Sequence, residues 1–329
     1  MERLLITLIL VCTMNNITNA QNPFYGQYHT PHEAVPFDRI ETEHYEPAIL
    51  EGIKLQNAEI EAIIQNPEKA DFTNTIEAFE ESGKLLDKVV AVFGNMLSAE
   101  TNDDLQELAQ KIMPLLSEHS NNITLNEKLF ARVKEVYNQK ETLQLTQEQK
   151  QLLENAYNSF IRHGANLEGE AREEYRRLTT ELSKLTLTFS ENNLKETNAY
   201  QMLLTKKESL AGLPEIIIEA AAETAKNEEK EGWAFTLHAP SYIPFMTYSD
   251  NRDLRQKLYM AYNTKCTHDN EFNNIDIVKK IANTRMKIAQ LLGYKDYAEY
   301  TLKKRMAENS KSVYKLLNQL LEAYTPTAQ

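Results

Sequence analysis

The sequence predicts a mainly α protein: a multi-helix bundle of antiparallel helices with a small β element around residues 199–238. Apolar residues recur at the i, i+3, i+4 spacing of a buried helix face through most of the chain, and helix-capping sequences precede several of these segments. Only 9 glycines and 10 prolines interrupt the 329 residues, so long helices meet few breaks. No fixed-period repeat and no low-complexity tract is present.

The composition is that of an ordinary soluble, globular chain. Hydrophobic residues make up 42% and charged residues 26%, and the length is sufficient for a large core or for two domains. The formal net charge is −12. This charge disfavours nucleic acid as a partner, because phosphate binding depends on Lys and Arg side chains that neutralise the backbone.

The first 20 residues are typical of a secretory signal peptide. Met1–Arg3 provide a basic start, the apolar run Leu4–Cys12 follows, and a polar segment ends at the small residue Ala20. The run is far shorter than the roughly 20 residues that cross a bilayer, and no second apolar segment of spanning length follows. We therefore predict export, most simply to the periplasm, with residues 1–20 removed.

Two alternative interpretations of this segment are weaker. A short buried helix would show an amphipathic pattern, which residues 4–12 lack. A lipid anchor on Cys12 is disfavoured because the bulky Val11 precedes it. Removal of the signal leaves Cys266 as the single cysteine, so no internal disulfide is available.

The pattern divides the chain into five segments. The signal peptide at 1–20 is followed by an extended N-terminal segment at 21–41 and a helical domain at 42–198. A small β and loop insertion with one helix occupies 199–248. The helices of 249–329 form the last segment.

Three helices of the helical domain are predicted from an apolar stripe or from a start signal. The first is predicted over about 45–64 from a single apolar stripe. Asn74 and Glu77 have the spacing of a capping box, which satisfies free backbone N–H groups at a helix start, and are predicted to open the second. Thr146 and Gln149 are predicted to open a third in the same way.

Other helices are predicted from spacing alone. Residues 102–119 form a helix that Pro114 is expected to kink or end, because proline removes a backbone donor. Residues 126–139 form a shorter helix. After residue 167 a charged helix continues to about 195.

The pattern changes between residues 199 and 248. Residues 200–204 and 233–238 are predicted to pair as two strands. Between them, a helix is predicted from Pro214, at its first position, to about 230. Two prolines in 239–246 are expected to exclude a helix there.

Helices return after residue 249. Asp250 is expected to cap a helix that extends to Tyr262, and three more are predicted near 270–292, 297–306 and 311–323. The last helix carries an apolar face for which the remaining sequence offers no partner, made of Val313, Leu316, Leu317, Leu320 and Leu321.

The histidines do not form a zinc-protease motif. Such a motif places two histidines four residues apart on one helix, with a glutamate after the first as general base. None of the seven histidines has a partner four residues away. His32 and Glu33 match the first two residues of this motif, but Pro36 occupies the position of the second histidine. Pro31 lies between His29 and His32. We interpret His29 and His32 as solvent-exposed histidines of an extended loop.

Two other groups of polar residues resemble sites only superficially. Cys266-Thr267-His268-Asp269 offers metal ligands in one short span, but no second cluster completes a tetrahedral set, so a turn between helices is favoured. The carboxylate pairs Glu80-Glu81 and Glu228-Glu229 are typical of solvated helix surface.

The aromatic and basic run from Tyr248 to Tyr262 is the remaining candidate. With Arg252 and Arg255 it could line a groove, although packing into the core with salt bridges is the favoured interpretation. No phosphate-binding glycine loop, dinucleotide fingerprint or G-x-S-x-G motif occurs.

Several stretches in order along the chain carry a family resemblance. They are Phe37–Ile40, His44–Ala48, Asn74–Gly83, Thr101–Leu105, Pro240–Met246, Asn251–Arg255, Leu291–Tyr294 and Tyr297–Ala298. Together they resemble the N-terminal half of the thimet oligopeptidase and peptidyl-dipeptidase family of zinc metallopeptidases, and most of all the exported bacterial peptidyl-dipeptidases. The resemblance extends from about Asn22 to the last residue, which makes it more specific than a single motif.

The resemblance implies a neurolysin-like helical ellipsoid with a narrow channel that admits short unstructured peptides. It also implies, in the complete enzyme, a zinc ion held by H-E-x-x-H and a later glutamate, and release of dipeptides from the substrate C-terminus. The family's zinc motif lies in the second half, beyond the residues present here. We therefore assign no catalytic, cofactor-binding or metal-binding residue in this chain, and expect it to bind no zinc and to be inactive alone.

These observations lead to two hypotheses of different classes. The first is the N-terminal portion of an exported zinc-dependent peptidyl-dipeptidase that forms one wall of the substrate channel. Its partners would be short peptides and a missing C-terminal catalytic half. The second is a naturally short, non-catalytic helical protein that binds peptides or another partner. A lone half-channel would expose an apolar inner wall, which favours the first hypothesis.

Overall fold

A computed structural model of the chain describes residues 22–328. The predicted mainly α fold is confirmed, since helices contain most of these residues and two short strands form one antiparallel sheet. The predicted signal peptide at 1–20 lies outside the described residues. From residue 22 to 328, no helix combines the length and apolar character needed to cross a membrane.

The helices and strands follow a series of short 3-10 turns between Pro23 and His44. The elements up to the first strand are α1 (Tyr45–Gln65), a π-helical segment (Phe72–Glu77) that continues through Ala78–Glu80, α2 (Lys84–Ala99), α3 (Asp103–Thr124), α4 (Glu127–Asn138), α5 (Gln147–Arg162) and α6 (Gly169–Ala199). The later elements are β1 (Gln201–Leu204), α7 (Glu215–Asn227), β2 (Trp233–Thr236), α8 (Ala239–Tyr248), α9 (Arg252–Asn263), α10 (Ile275–Leu291), α11 (Tyr297–Leu302) and α12 (Ser310–Ala328).

The chain divides into two compact units. The first unit comprises the residues up to Ser183 together with those from Lys287 onward. The second unit comprises Lys184–Met286. The boundaries fall within α6 and α10.

The core of the first unit is built around Phe160 of α5, of which 1% is exposed. Its ring lies 5.4 Å from that of Phe79 and 5.7 Å from that of Phe130, measured between centroids. Ile76, Leu129 and the other buried residues of this cluster occupy the helix faces that the apolar spacing predicts. Aromatic packing of this kind contributes beyond simple burial of apolar area.

Helices α1 and α2 approach each other most closely at Gly52. A Cβ atom at this position would lie 2.9 Å from the Cα of Leu86, well inside van der Waals contact. The absence of a side chain at Gly52 therefore permits the close packing of these two helices.

The second unit is organised around the hairpin of β1 and β2, which confirms the predicted strand pair. Met202 pairs with Phe235, and Leu204 pairs with Trp233. The Phe235 ring contacts Phe245 of α8 edge-to-face, with centroids 4.6 Å apart. Leu258 of α9 is fully buried in the same cluster. Ala221 of α7 belongs to the same cluster, and α7 and α8 are the helices that pack against β2.

One of the two predicted capping boxes is confirmed and one is displaced. Thr146 and Gln149 form the predicted box at the start of α5, with reciprocal bonds of 3.0 and 3.2 Å. The predicted Asn74–Glu77 box is wrong. Asp71 is the N-cap, and its carboxylate accepts a 2.7 Å bond from the Asn74 N–H. The earlier start places Phe72 in the core.

The sequence predicts that Pro114 kinks or ends a helix, and the second alternative is wrong; the prediction that two prolines exclude a helix at 239–246 is also wrong. α3 continues through Pro114 to Thr124, so it does not end there. α8 extends from Ala239 to Tyr248 although it contains Pro240 and Pro244. Pro240 lies in the first turn, where the backbone N–H has no intrahelical acceptor, and Pro244 removes one hydrogen bond. Complete burial of Phe245 outweighs that loss.

Several predicted element ends differ by a few residues. Asn251, and not Asp250, caps α9, and its side chain accepts a bond from the Leu254 N–H. Pro214 precedes α7 as its cap residue. α11 ends at Leu302, earlier than predicted. Side chains one position apart compete for the same cap, and sequence spacing does not decide between them.

The last helix, α12, has the unpartnered apolar face that the sequence predicts. Within the described part of the chain, no side chain of α12 is buried. The exposed apolar side chains include Tyr314, Leu316, Leu317, Leu320, Leu321 and Tyr324. A face of this size is characteristic of a surface that binds another polypeptide.

Replacement of Gly52 by Ala should destabilise the protein. The added methyl would meet backbone atoms of Leu86, which cannot move aside as a flexible side chain can. We expect a loss of about 1–3 kcal/mol in the free energy of unfolding, measured by urea denaturation. Gly94→Ala is the matched control, because Gly94 lies in α2 with no atom near its Cβ position. This control should stabilise by up to about 1 kcal/mol, and equal effects of both substitutions would contradict the close packing.

Candidate functional site

The two N-terminal histidines lie on the surface, as the sequence predicts. His29 and His32 are both exposed. The local structure is a single 3-10 turn at Pro31–Glu33 rather than an extended loop, and His32 has a positive φ of 58°. No helix holds these two imidazoles in register, so they do not form a pair of metal ligands.

His119 is the buried histidine of the described residues. Its Nε2 atom lies 2.7 Å from the Gln56 Oε1 atom in the first unit. Burial lowers the pKa of His119, which favours the neutral imidazole. Across residues 22–328, no three His, Cys, Asp or Glu side chains come together in a way that could hold a metal ion. The assignment of no site residue to this chain stays a prediction.

The segment Cys266–Asp269 forms part of the turn between α9 and α10, as predicted. The turn is held by Glu196 near the end of α6. The Glu196 carboxylate accepts hydrogen bonds from the backbone N–H of Cys266, from His268 Nδ1 at 2.6 Å and from Asn270 Nδ2 at 3.4 Å. The side chain of Glu196 is 12% exposed. We define these four residues as the Glu196 cluster.

The electrostatics of the Glu196 cluster are those of a structural connection. Burial would by itself raise the pKa of Glu196, but the hydrogen bonds from His268, Cys266 and Asn270 outweigh burial and lower it. Burial and the neighbouring carboxylate raise the pKa of the Cys266 thiol to about 11. A thiol with such a pKa stays protonated near neutral pH and is a poor nucleophile or metal ligand.

The paired carboxylates are solvated, as predicted, but only Glu80 lies in a helix, and the other three lie in the turns that follow helix ends. Glu80, Glu81, Glu228 and Glu229 are all exposed. Glu81 forms an ion pair with Lys84, and Glu228 forms one with Lys230. Exposed pairs of this kind contribute little to stability.

The aromatic and basic run lines a groove, contrary to the favoured interpretation of core packing with salt bridges. The groove lies between α8 and α9 in the second unit and has a volume of about 400 Å³. Its lining residues, which define the α8–α9 groove, are Met246, Arg252, Arg255, Gln256, Tyr259 and Met260. Leu254 and Leu258 occupy the core face of α9, so Tyr259 and Met260 are left 50% and 49% exposed.

The charges in the α8–α9 groove are positive. Arg252 is exposed at the start of α9, while a guanidinium N–H of Arg255 donates to the carbonyl oxygen of Ser249. No carboxylate is among the lining residues. The groove therefore combines two guanidinium groups with aromatic and thioether surface, a composition enriched at protein interfaces.

The apolar surface extends beyond the groove along the same two helices. Tyr242 of α8 stacks on Tyr262 of α9 with ring centroids 4.2 Å apart. The Nζ atom of Lys265 lies 4.6 Å from the centre of the Tyr262 ring. Ile243 and Tyr248 of α8 are more than half exposed. These side chains extend the exposed apolar surface of α8 and α9 beyond the groove.

Comparisons with known proteins confirm the resemblance. Residues 245–329, which include the whole α8–α9 groove, match the family model of Peptidase family M3. The chain is 34% identical over 303 residues to the dipeptidyl carboxypeptidase of Escherichia coli (strain K12), an alignment that covers 92% of this chain and 44% of that protein.

Two relatives from Salmonella typhimurium show the same relationship. Its dipeptidyl carboxypeptidase is 35% identical over 288 residues, covering 87% of this chain and 42% of the relative. Its oligopeptidase A is 30% identical over 312 residues, covering 94% of this chain and 45% of the relative. The chain therefore spans less than half the length of the curated relatives that it matches.

Replacement of Glu196 by Gln should weaken the turn between α9 and α10. Loss of hydrogen bonds to a charged acceptor is expected to cost about 1–3 kcal/mol in the free energy of unfolding at pH 7. The folded-state pKa of Glu196 is lowered from its ordinary value of 4.5, so the wild-type advantage is present above pH 4.5 and is lost as the pH falls through the folded pKa. Denaturation at pH 7 and at pH 3.5–4 should show this decrease. Glu271→Gln, at an exposed position of the same turn, is the control, and an equal effect would contradict the role of Glu196.

Proposed function

We propose, starting from the similarity of this chain to Peptidase family M3, that it is the N-terminal portion of an exported, zinc-dependent peptidyl-dipeptidase. In this proposal the complete enzyme hydrolyses short peptides and releases dipeptides from their C-termini. The observation that carries the proposal is the 34% identity over 92% of the chain to a protein named dipeptidyl carboxypeptidase. The relatives named oligopeptidase A also support peptides as the substrate class.

Hydrolysis is assigned to residues outside this sequence. The 329 residues contain no H-E-x-x-H. In the complete enzyme, zinc would supply the Lewis-acid chemistry of peptide hydrolysis. The catalytic part would correspond to the portion of the relatives that this sequence does not match.

Two apolar surfaces are available for peptide binding and for packing against the catalytic part. We assign the α8–α9 groove to peptide binding, as part of one wall of the substrate channel, because it combines exposed Tyr259 and Met260 with two arginines. We assign the leucine face of α12 to packing against the catalytic part, because helices of this kind need a partner to bury such a face. Both surfaces lie within the residues that match the family model.

Export is the second component of the proposal. The apolar run Leu4–Cys12, its basic start and the small residue at position 20 support a cleaved signal peptide. In a bacterium with two membranes, this signal would direct the protein to the periplasm. Peptides that reach that compartment are a fitting substrate pool for a dipeptide-releasing enzyme.

The protein comprising residues 21–329 should bind short peptides but not cleave them. Quenched fluorescent peptides with free C-termini, incubated with the protein and added zinc, should show no hydrolysis above the buffer rate. The complete dipeptidyl carboxypeptidase of Escherichia coli is the positive control under the same conditions. Hydrolysis that a chelator abolishes and zinc restores would show that the chain contains its own catalytic site and would contradict this part of the proposal.

Residues 1–25 should direct a fused reporter enzyme to the periplasm of a bacterial host. The fusion should be found in the periplasmic fraction and should be about 20 residues shorter than its precursor, because the signal is removed. Leu8→Arg places a charge in the middle of the apolar run and should keep the reporter in the cytoplasm at full length. A reporter that stays cytoplasmic with the unaltered sequence would contradict export.

A further inference from the structure

We infer that the α8–α9 groove recognises an acidic side chain, Asp or Glu, within an extended peptide that has apolar residues on both sides of the acid. The inference rests on the proposed function, which supplies a peptide as the ligand. It adds a charge preference and assigns that preference to Arg252 and Arg255.

The first argument is electrostatic. Both charged residues that line the groove are arginines, and no carboxylate lines it. Residues 248–265 contain four basic side chains against two acidic ones, in a chain with a net charge of −12. A local positive surface on an acidic protein attracts anionic ligands to that surface and repels cationic ones.

The two acidic residues of this stretch do not neutralise the groove. The backbone N–H of Asp250 donates to the Ala211 carbonyl oxygen at 2.9 Å, which places this residue beside the turn before α7. Asp253 is exposed in the first turn of α9, where a carboxylate is stabilised by the helix dipole. Neither residue lines the groove. Within the described residues, Arg252 is in no ion pair.

The second argument concerns geometry of the guanidinium groups. Arg252 and Arg255 are three residues apart on α9, so their side chains lie on neighbouring positions of one helix face. Arg255 donates to the Ser249 carbonyl oxygen, and Arg252 is the more exposed of the two arginines. Guanidinium groups bind carboxylates through paired, charge-assisted hydrogen bonds, which neutral amides do not match.

The third argument places the acid inside the peptide and not at its end. Tyr259 and Met260 lie one to two turns beyond the arginines along α9, and both are about half exposed. Met246, near the end of α8, lines the groove from the other helix. Apolar surface therefore continues on both sides of the charged position. A ligand that uses all of this surface has chain on both sides of its carboxylate.

The test is a binding measurement with four labelled nonapeptides, made on the protein comprising residues 21–329. Three peptides have blocked ends and a central Glu, Gln or Lys between Leu and Tyr residues. The fourth has the central Gln and a free C-terminal carboxylate. We expect the Glu peptide to bind about tenfold more tightly than the Gln peptide by fluorescence anisotropy, and the Lys peptide to bind more weakly than either.

Variants assign the preference to the groove. Arg252→Gln should reduce the Glu-to-Gln ratio to less than about twofold, while Arg252→Lys should keep part of it. Arg305→Gln removes the same charge from an exposed position of the first unit and should leave the ratio unchanged. Circular dichroism melting curves verify that each variant is folded. In about 0.5 M salt the ratio should fall for the wild type, since an exposed pair is screened.

The outcomes separate this inference from the proposed function. Equal binding of the Glu and Gln peptides would overturn the inference and leave peptide binding intact. Tighter binding of the peptide with the free C-terminus than of the Glu peptide would overturn the internal position of the acid. An unchanged ratio in Arg252→Gln would overturn the assignment to the groove. Binding of none of the four peptides would overturn both the inference and the peptide-binding role.

Discussion

An isolated helix of 10 to 20 residues is marginally stable in water, so each helix of this protein depends on burying its apolar face against a neighbour. The described structure satisfies this requirement in both units, each of which has its own buried clusters. Phe160 and the residues around it bury the faces of α4, α5 and the π-helical segment. Phe235, Phe245 and Leu258 join the hairpin to α8 and α9. Helices α1 and α2 pack closely at Gly52 because this residue has no side chain.

The same requirement explains which apolar residues remain outside. In α9, Leu254 and Leu258 pack into the core of the second unit. Tyr259 and Met260 remain exposed beside the arginines. In α12 no face is buried within the described residues. A globular protein rarely leaves contiguous apolar surface without a use, and these two surfaces lie in the part of the chain that matches Peptidase family M3. They are the natural places for a peptide and for a second polypeptide.

The polar clusters contribute to architecture and not to chemistry. Glu196 binds the turn at Cys266–Asn270 and keeps the Cys266 thiol protonated and buried. His119 is neutral and hydrogen bonded to Gln56 in the core of the first unit. Neither arrangement resembles an activated nucleophile or a metal site.

The sequence by itself determined the helical class, most helix positions, the strand pair, the Thr146 capping box and the unpartnered face of α12, because these features depend on the local spacing of residues. It also determined the family resemblance, which depends on long stretches of similar residues. Tertiary structure decided what local rules leave open. The position of Pro240 in the first turn and the burial of Phe245 permit α8 despite its two prolines. Competition between neighbouring side chains places the helix caps at Asp71 and Asn251. The sequence named the groove only as an alternative for the same reason: whether Arg252 and Tyr259 face a core or solvent depends on which side of α9 packs into the core of the second unit. That choice is fixed by packing between elements distant along the chain.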